Sequence, residues 1–159
     1  MNQVLQFYDY EKSFQHYVYR VANMRQAKVN GEVIVAKPVL LLALIDGVDK
    51  DVFDNNHFYL NEWLEECYLS LMKEYTKGSQ FPNPASINNP FWHLSSDGFW
   101  HLHLKEKYEG GATPTKTWLK ENVLSASFDD DMWVLLQNRE YRNKMLNVII
   151  DLINSQKAK

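Results

Sequence analysis

From Pro38 to Ile45 the chain carries eight consecutive apolar residues, flanked by segments in which apolar and polar side chains alternate at regular spacing. A run this long is apolar on every face of a helix, so Leu40 to Val48 is expected to form a helix buried all round. Pro38 suits its first position, and Gly47 with the charges after it should close it. Upstream, Phe14, Tyr17, Val18, Val21 and Met24 recur at spacings of three and four, which predicts an amphipathic helix from Tyr10 to Asn23. Asn30-Gly31, followed by Val33 and Val35, reads as a turn and a short strand within Lys28–Val35. His57 to Leu60 reads as a brief strand. Asn61 can cap a helix from Glu62 to about Lys77, with Trp63, Leu64, Cys67, Leu71 and Tyr75 inward and Gly78 as its stop.

Further on, Pro90 to Leu104 (PFWHLSSDGFWHLHL) holds two short aromatic runs around Ser-Ser-Asp-Gly, a pattern that predicts a β-hairpin. Ser79 to Pro90, with Pro82 and Pro84, reads as a loop, and Lys105 to Pro114 as a flexible connector. Thr115 to Asn122 fits a short helix. Ser127 or Asp129 can cap a helix through Gln137, with Asp129, Asp130 and Asp131 at its positive end. A last helix is expected from about Glu140 to Asn154, with Tyr141, Met145, Val148, Ile149 and Leu152 as its stripe. The pattern as a whole is that of an α+β fold, a helix-rich single domain over residues 1–159 with a small antiparallel hairpin or sheet.

Composition narrows the class. Apolar residues make up 45% of the 159 and aromatic ones 14%, enough to build a core and to exclude disorder. The single Cys67 excludes a disulfide framework or a paired-cysteine zinc site. Met1-Asn2-Gln3-Val4 shows no secretory pattern, and Pro38–Ile45 is too short to span a bilayer, so a cytoplasmic protein without a membrane partner is expected. The net charge of −3 is unevenly spread. Residues 46–66 hold seven acids (Asp46, Asp49, Asp51, Asp54, Glu62, Glu65, Glu66) against Lys50. Residues 20–37 hold Arg20, Arg25, Lys28 and Lys37 against Glu32. A chain polarised in this way can meet a polyanion with one face while its total stays negative.

Candidate chemistry is sparse. His101 and His103 fall on one face of a strand and, with His93 on the partner strand of the hairpin, could form a three-imidazole zinc site; alternating polar residues on a half-exposed hairpin are the ordinary pattern and the preferred reading. Ser95, Ser96, His93 and Asp97 crowd one turn, but no strand–turn–helix nucleophile elbow is present. Asp97 is expected to bond its own turn's backbone. Cys67 falls on the packed face of its helix, and the Asp129–Asp131 triplet is explained by helix capping. Gly110-Gly111 lacks the Lys and Ser/Thr of a phosphate-binding loop. Neither an enzyme nor a cofactor is expected. Phe91, Trp92, Phe99 and Trp100 suit either a core or a base-stacking platform.

Three blocks carry a family resemblance: AKPVLLLALIDGV, then PFWHLSSDGFWHLHLKEK, then SASFDDDMWVLLQNREYRNKMLNVIIDLI. Their order and spacing, over roughly residues 10–155, resemble the N-terminal domain of a bacterial family of HNH-type restriction endonucleases. That domain is related to the sulfur-binding domain that recognises phosphorothioate-modified DNA. The resemblance implies a winged-helix-like architecture and a phosphate contact from Lys37, ahead of Pro38 at the opening of the apolar helix. It also implies a sulfur cup at the start of the aromatic motif, at Asn89, Pro90 and His93. Of these Pro90 matches the family, whereas Asn89 and His93 are polar replacements, and Ala36 stands where a His is common. The six residues after Ile153 hold no nuclease segment, so the resemblance leads us to expect a separately encoded nuclease as a partner.

Two readings follow. The first is a DNA-binding module for plain or modified double-stranded DNA in a restriction or defence setting, with Lys37, Arg25, Lys28, Lys116, Arg139 and Arg142 on one face near the aromatic motif. The second is a protein-interaction or DNA-mimicking module that uses the acidic 46–66 segment.

Overall fold

Helix α2 (Ala36–Asp49) is the axis on which the other elements are laid. In this computed structural model, which describes residues 9–80 and 85–157, Val39, Leu40, Leu41, Ala43, Leu44 and Ile45 are completely buried. Between Ala36 and Ile45 α2 therefore has no solvent face, as its all-round apolar pattern requires; only its last turn, at Asp46 and Asp49, reaches solvent. The expected features at Met1–Val4, Pro82 and Pro84 lie outside the described residues.

Around α2 pack α3 (Glu62–Tyr75), α4 (Asn88–His93), α6 (Asp130–Gln137) and the long α7 (Arg139–Lys157). α1 (Tyr10–Ala22) lies on α6 and α7, and α5 (Lys116–Asn122) precedes the last strand. The caps explain several boundaries. Asp9 accepts from the amides of Glu11 and Lys12, Asn61 from that of Leu64, and Thr115 from that of Trp118. Asp129 stands before α6, whereas Ser127 belongs to a strand.

Two small antiparallel sheets complete the fold. β1 (Lys28–Val29) and β2 (Glu32–Val33) are joined by Asn30 at φ 52° and Gly31 at φ 82°, the left-handed pair that a two-residue hairpin needs. β3 (Trp100–Leu104) pairs with β4 (Val123–Phe128) in the register Trp100↔Phe128 and Leu102↔Ala126, with an irregularity at His103/Leu104. The expected His57–Leu60 strand reduces to a single bridge between Phe58 and Ala126.

The expected hairpin over residues 90–104 is not formed. Its first aromatic run is α4, its Ser-Ser-Asp stretch is a 3-10 turn (Leu94–Asp97), and its second run alone is a strand. Phe91, Phe99 and Trp100 are buried, with Trp100 against Phe58, Phe91 and Phe128, so these rings are core. Two smaller differences concern α2 and α3. α2 begins two residues before Pro38 and runs through Gly47, and the fully buried line of α3 is Leu64, Tyr68 and Met72. Among the described residues, no helix is long and apolar enough to cross a membrane.

Candidate functional site

The N-terminal end of α2 is where the chemistry collects. Lys37 is its second residue, and Val35 ahead of it supplies no side-chain cap. The first amides of this helix are therefore left without a side-chain cap. The Lys37 Nζ lies 2.7 Å from Asp97 Oδ2, with the two side chains only 11% and 4% exposed. The other oxygen of Asp97 accepts from the Arg25 backbone N–H at 2.9 Å. One buried carboxylate thus ties the 3-10 turn to α2 and to the segment that follows α1. Asp97 does not bond its own turn, as the sequence suggested, because two distant donors claim both of its oxygens.

Beside this ion pair lies a cavity of about 230 Å3. Its walls are mainly apolar: Ala27 just before β1 and Val29 within it, Ile34 on the approach to α2 and Ala36 at its start, and Ala85 and Pro90 across from them. Arg25, Gln26, Lys37 and Asn89 supply the polar part of the lining. Local bonds fix the near wall. Ile34 donates its N–H to Ala27 O at 2.8 Å, and the Gln26 side chain reaches Ile34 O at 3.2 Å while exchanging amide bonds with Gln156 of α7. Pro90 is buried within α4, whereas Asn89 beside it is exposed.

The residues expected to act together separate into two groups. Lys37, Arg25, Asn89 and Pro90 converge on the cavity, and Lys28 is exposed on β1 next to its wall residue Val29. Pro38 is buried in α2. His93, at the end of α4, is not part of the cavity lining; its Nε2 lies 2.8 Å from Thr113 Oγ1. Lys116 is ion-paired with Glu65 of α3. Arg142 is held by Asp49 at 3.0 Å and by Leu136 O at 2.8 Å. Asp49 ends α2, so Arg142 sits about 18 Å along the helix axis from Lys37. Arg139 opens α7 and is exposed.

Ala27, Val29, Ile34 and Ala85 were not singled out by the sequence. The Asn30-Gly31 turn signals that Val29 and Ile34 come near one another, but nothing local announces that Ala85 and Pro90 face them.

The histidine cluster is organised by hydrogen bonds. His101 Nε2 is 2.6 Å from Asp129 Oδ1 and His103 Nε2 is 2.9 Å from Ser127 Oγ, while His93 lies on a helix and not on a partner strand. Tyr17 donates its hydroxyl to the second oxygen of Asp129 at 2.8 Å; burial, then that bond, push the phenol well above its usual range. Among the described residues, no group of three or more His, Cys, Asp or Glu side chains is placed to hold a metal ion. Cys67 is half-buried beside Asp46, and burial first, then that carboxylate, push its thiol up to about 11. Such a thiol is a poor nucleophile.

Comparison with known proteins bears on this site. A family model described as ScoMcrA-like, DNA sulfur-binding domain, matches residues 15–156. Among solved structures the fold is similar to the sulfur-binding domain of SprMcrA complexed with phosphorothioated DNA. The TM-score is 0.60 at 16% identity, over 87% of this chain and 84% of that one. No curated protein matches the chain.

Proposed function

The chain belongs to the ScoMcrA-like DNA sulfur-binding domain family, and from that premise we propose that it is a non-catalytic module that binds the backbone of double-stranded DNA at the cavity beside Lys37. The observation that carries this reading is the pairing of an apolar cup with cationic residues on its lining, all at the uncapped start of a helix. A backbone phosphorothioate matches both parts. Its charge is served by Arg25, Lys28 and the positive end of α2, and its sulfur, less strongly hydrated than oxygen, loses little on leaving water against Ala27, Ala36 and Pro90. Asn89 offers an amide to a neighbouring oxygen of the same group. In this reading His93, Lys116 and Arg142 stand outside the first contact, since their side chains are bonded elsewhere. The setting is restriction or defence, with cleavage supplied by a separate nuclease.

The acidic alternative has less support. Asp46, Asp49 and Glu65, three of the seven acids in residues 46–66, are ion-paired with this chain's own Lys50, Arg142, Lys116 and Lys120. Gel shifts at two salt concentrations, with a plain duplex and its phosphorothioate counterpart, test the proposal. Binding that weakens steeply with salt and favours the sulfur duplex supports it. Failure to retard either duplex overturns it.

A further inference from the structure

We propose that a second groove, across Asp97 from the cup, binds a neighbouring phosphate of the same duplex and adds a cation to the interface; this rests on the reading of the cup as a DNA-backbone site. α1 and the 3-10 turn border a cavity of about 360 Å3 whose lining includes Tyr19, Arg20, Asn23, Arg25 and Ser96. Arg25 lines both this groove and the cup, so the two adjoin.

The charge distribution favours the groove. Lys37, one of the two cations lining the cup, is cancelled by Asp97 at 2.7 Å, so the pair brings no net charge to a phosphate. Duplex affinity nevertheless depends on cations that displace counterions. Arg20 and Arg25 meet that requirement. The guanidinium of Arg20 lies beside Gly98 and, among the described residues, hydrogen-bonds a neutral acceptor, the Asp97 carbonyl, at 3.5 Å, while Arg25 uses its backbone N–H and not its guanidinium to bond Asp97. Neither forms an ion pair among the described residues, and the nearest carboxylate is already taken by Lys37. Two unpaired guanidinium forks match the oxygens of a phosphate. Tyr19, 67% exposed, adds a phenolic donor on a ring that packs little against the protein.

The groove contacts phosphate and not sulfur, so its loss should weaken every duplex alike. The test is a set of anisotropy titrations over a range of salt with plain and phosphorothioate duplexes. They use the wild-type chain, Arg20→Gln, Arg20→Lys and Tyr19→Ala, each shown by thermal melting to be folded. Arg20→Gln is expected to flatten the log–log salt slope by about 0.9 and to weaken both duplexes by the same factor, roughly three- to tenfold. Arg20→Lys should restore the slope. Tyr19→Ala should weaken both duplexes without changing it. An unchanged slope and affinity in Arg20→Gln, or a loss confined to the sulfur duplex, overturns the groove and leaves the cup standing. If the wild-type chain binds neither duplex, the cup and the groove fall together.

Discussion

Asp97 is the residue on which the site turns, because its buried carboxylate serves Lys37 and the Arg25 amide at once. Removing one partner of such a pair leaves the other charge buried and uncompensated, at a cost of about 3–5 kcal/mol. Asp97→Asn should therefore lower stability by that order in urea unfolding; a change below about 1 kcal/mol would mean that the pair is solvated and holds little together. Cys67 gives a second single-residue prediction. With its thiol held up to about 11, alkylation of the native protein should stay slow at pH 8, accelerate only as pH approaches that value, and become fast in urea. Rapid alkylation of the folded chain at pH 8 would contradict the burial assigned to this side chain. The site was half legible at this scale. Lys37, Arg25, Asn89 and Pro90 stand out by charge or motif, but the Lys37–Asp97 bond spans sixty positions and has no local signature.

At the scale of elements, α2 and the segment after it are packed as one unit. Gly47 lies inside the helix, where a Cβ would stand 2.6 Å from the ring of Phe53. Gly47→Ala should then destabilise by about 1–3 kcal/mol through overpacking, although alanine is the better helix former. A thermal melt that rises would show that Phe53 moves aside freely. Helices with a clear apolar stripe and a capping residue, such as α1, α3 and α7, were legible in the sequence to within a few residues. The aromatic motif was not. Its two runs mimic hairpin strands, yet Pro90 lies inside a helical turn, and β3 finds its partner in Val123–Phe128, whose Ser-Ala-Ser centre gives no strong strand signal. Trp100 decides the outcome, since its ring packs at a tilt against Phe58 and Phe128 in the core and its indole N–H is satisfied by Phe91 O at 3.0 Å.

For the whole molecule, a net charge of −3 coexists with a cationic end because part of the acid-rich segment is neutralised internally. The Lys116 ammonium bound to Glu65 holds that carboxyl below its ordinary value of 4.5. A carboxyl with a lowered pKa in the fold contributes stability above the unfolded value and loses it as pH falls through the folded one. Acid unfolding should therefore draw on Glu65 below about pH 4.5, and Glu65→Gln should flatten the pH dependence of unfolding there while leaving its slope near neutrality unchanged. An acid limb identical to wild type would assign no stabilising role to that pair. The central claim is that duplex DNA lies across the start of α2 and not on the acidic segment. Hydrogen exchange of the chain with and without a phosphorothioate duplex tests it most directly. Slowed exchange in residues 25–37 and 85–91, with 46–66 unchanged, is the predicted result; protection centred on 46–66, or none anywhere, would contradict it.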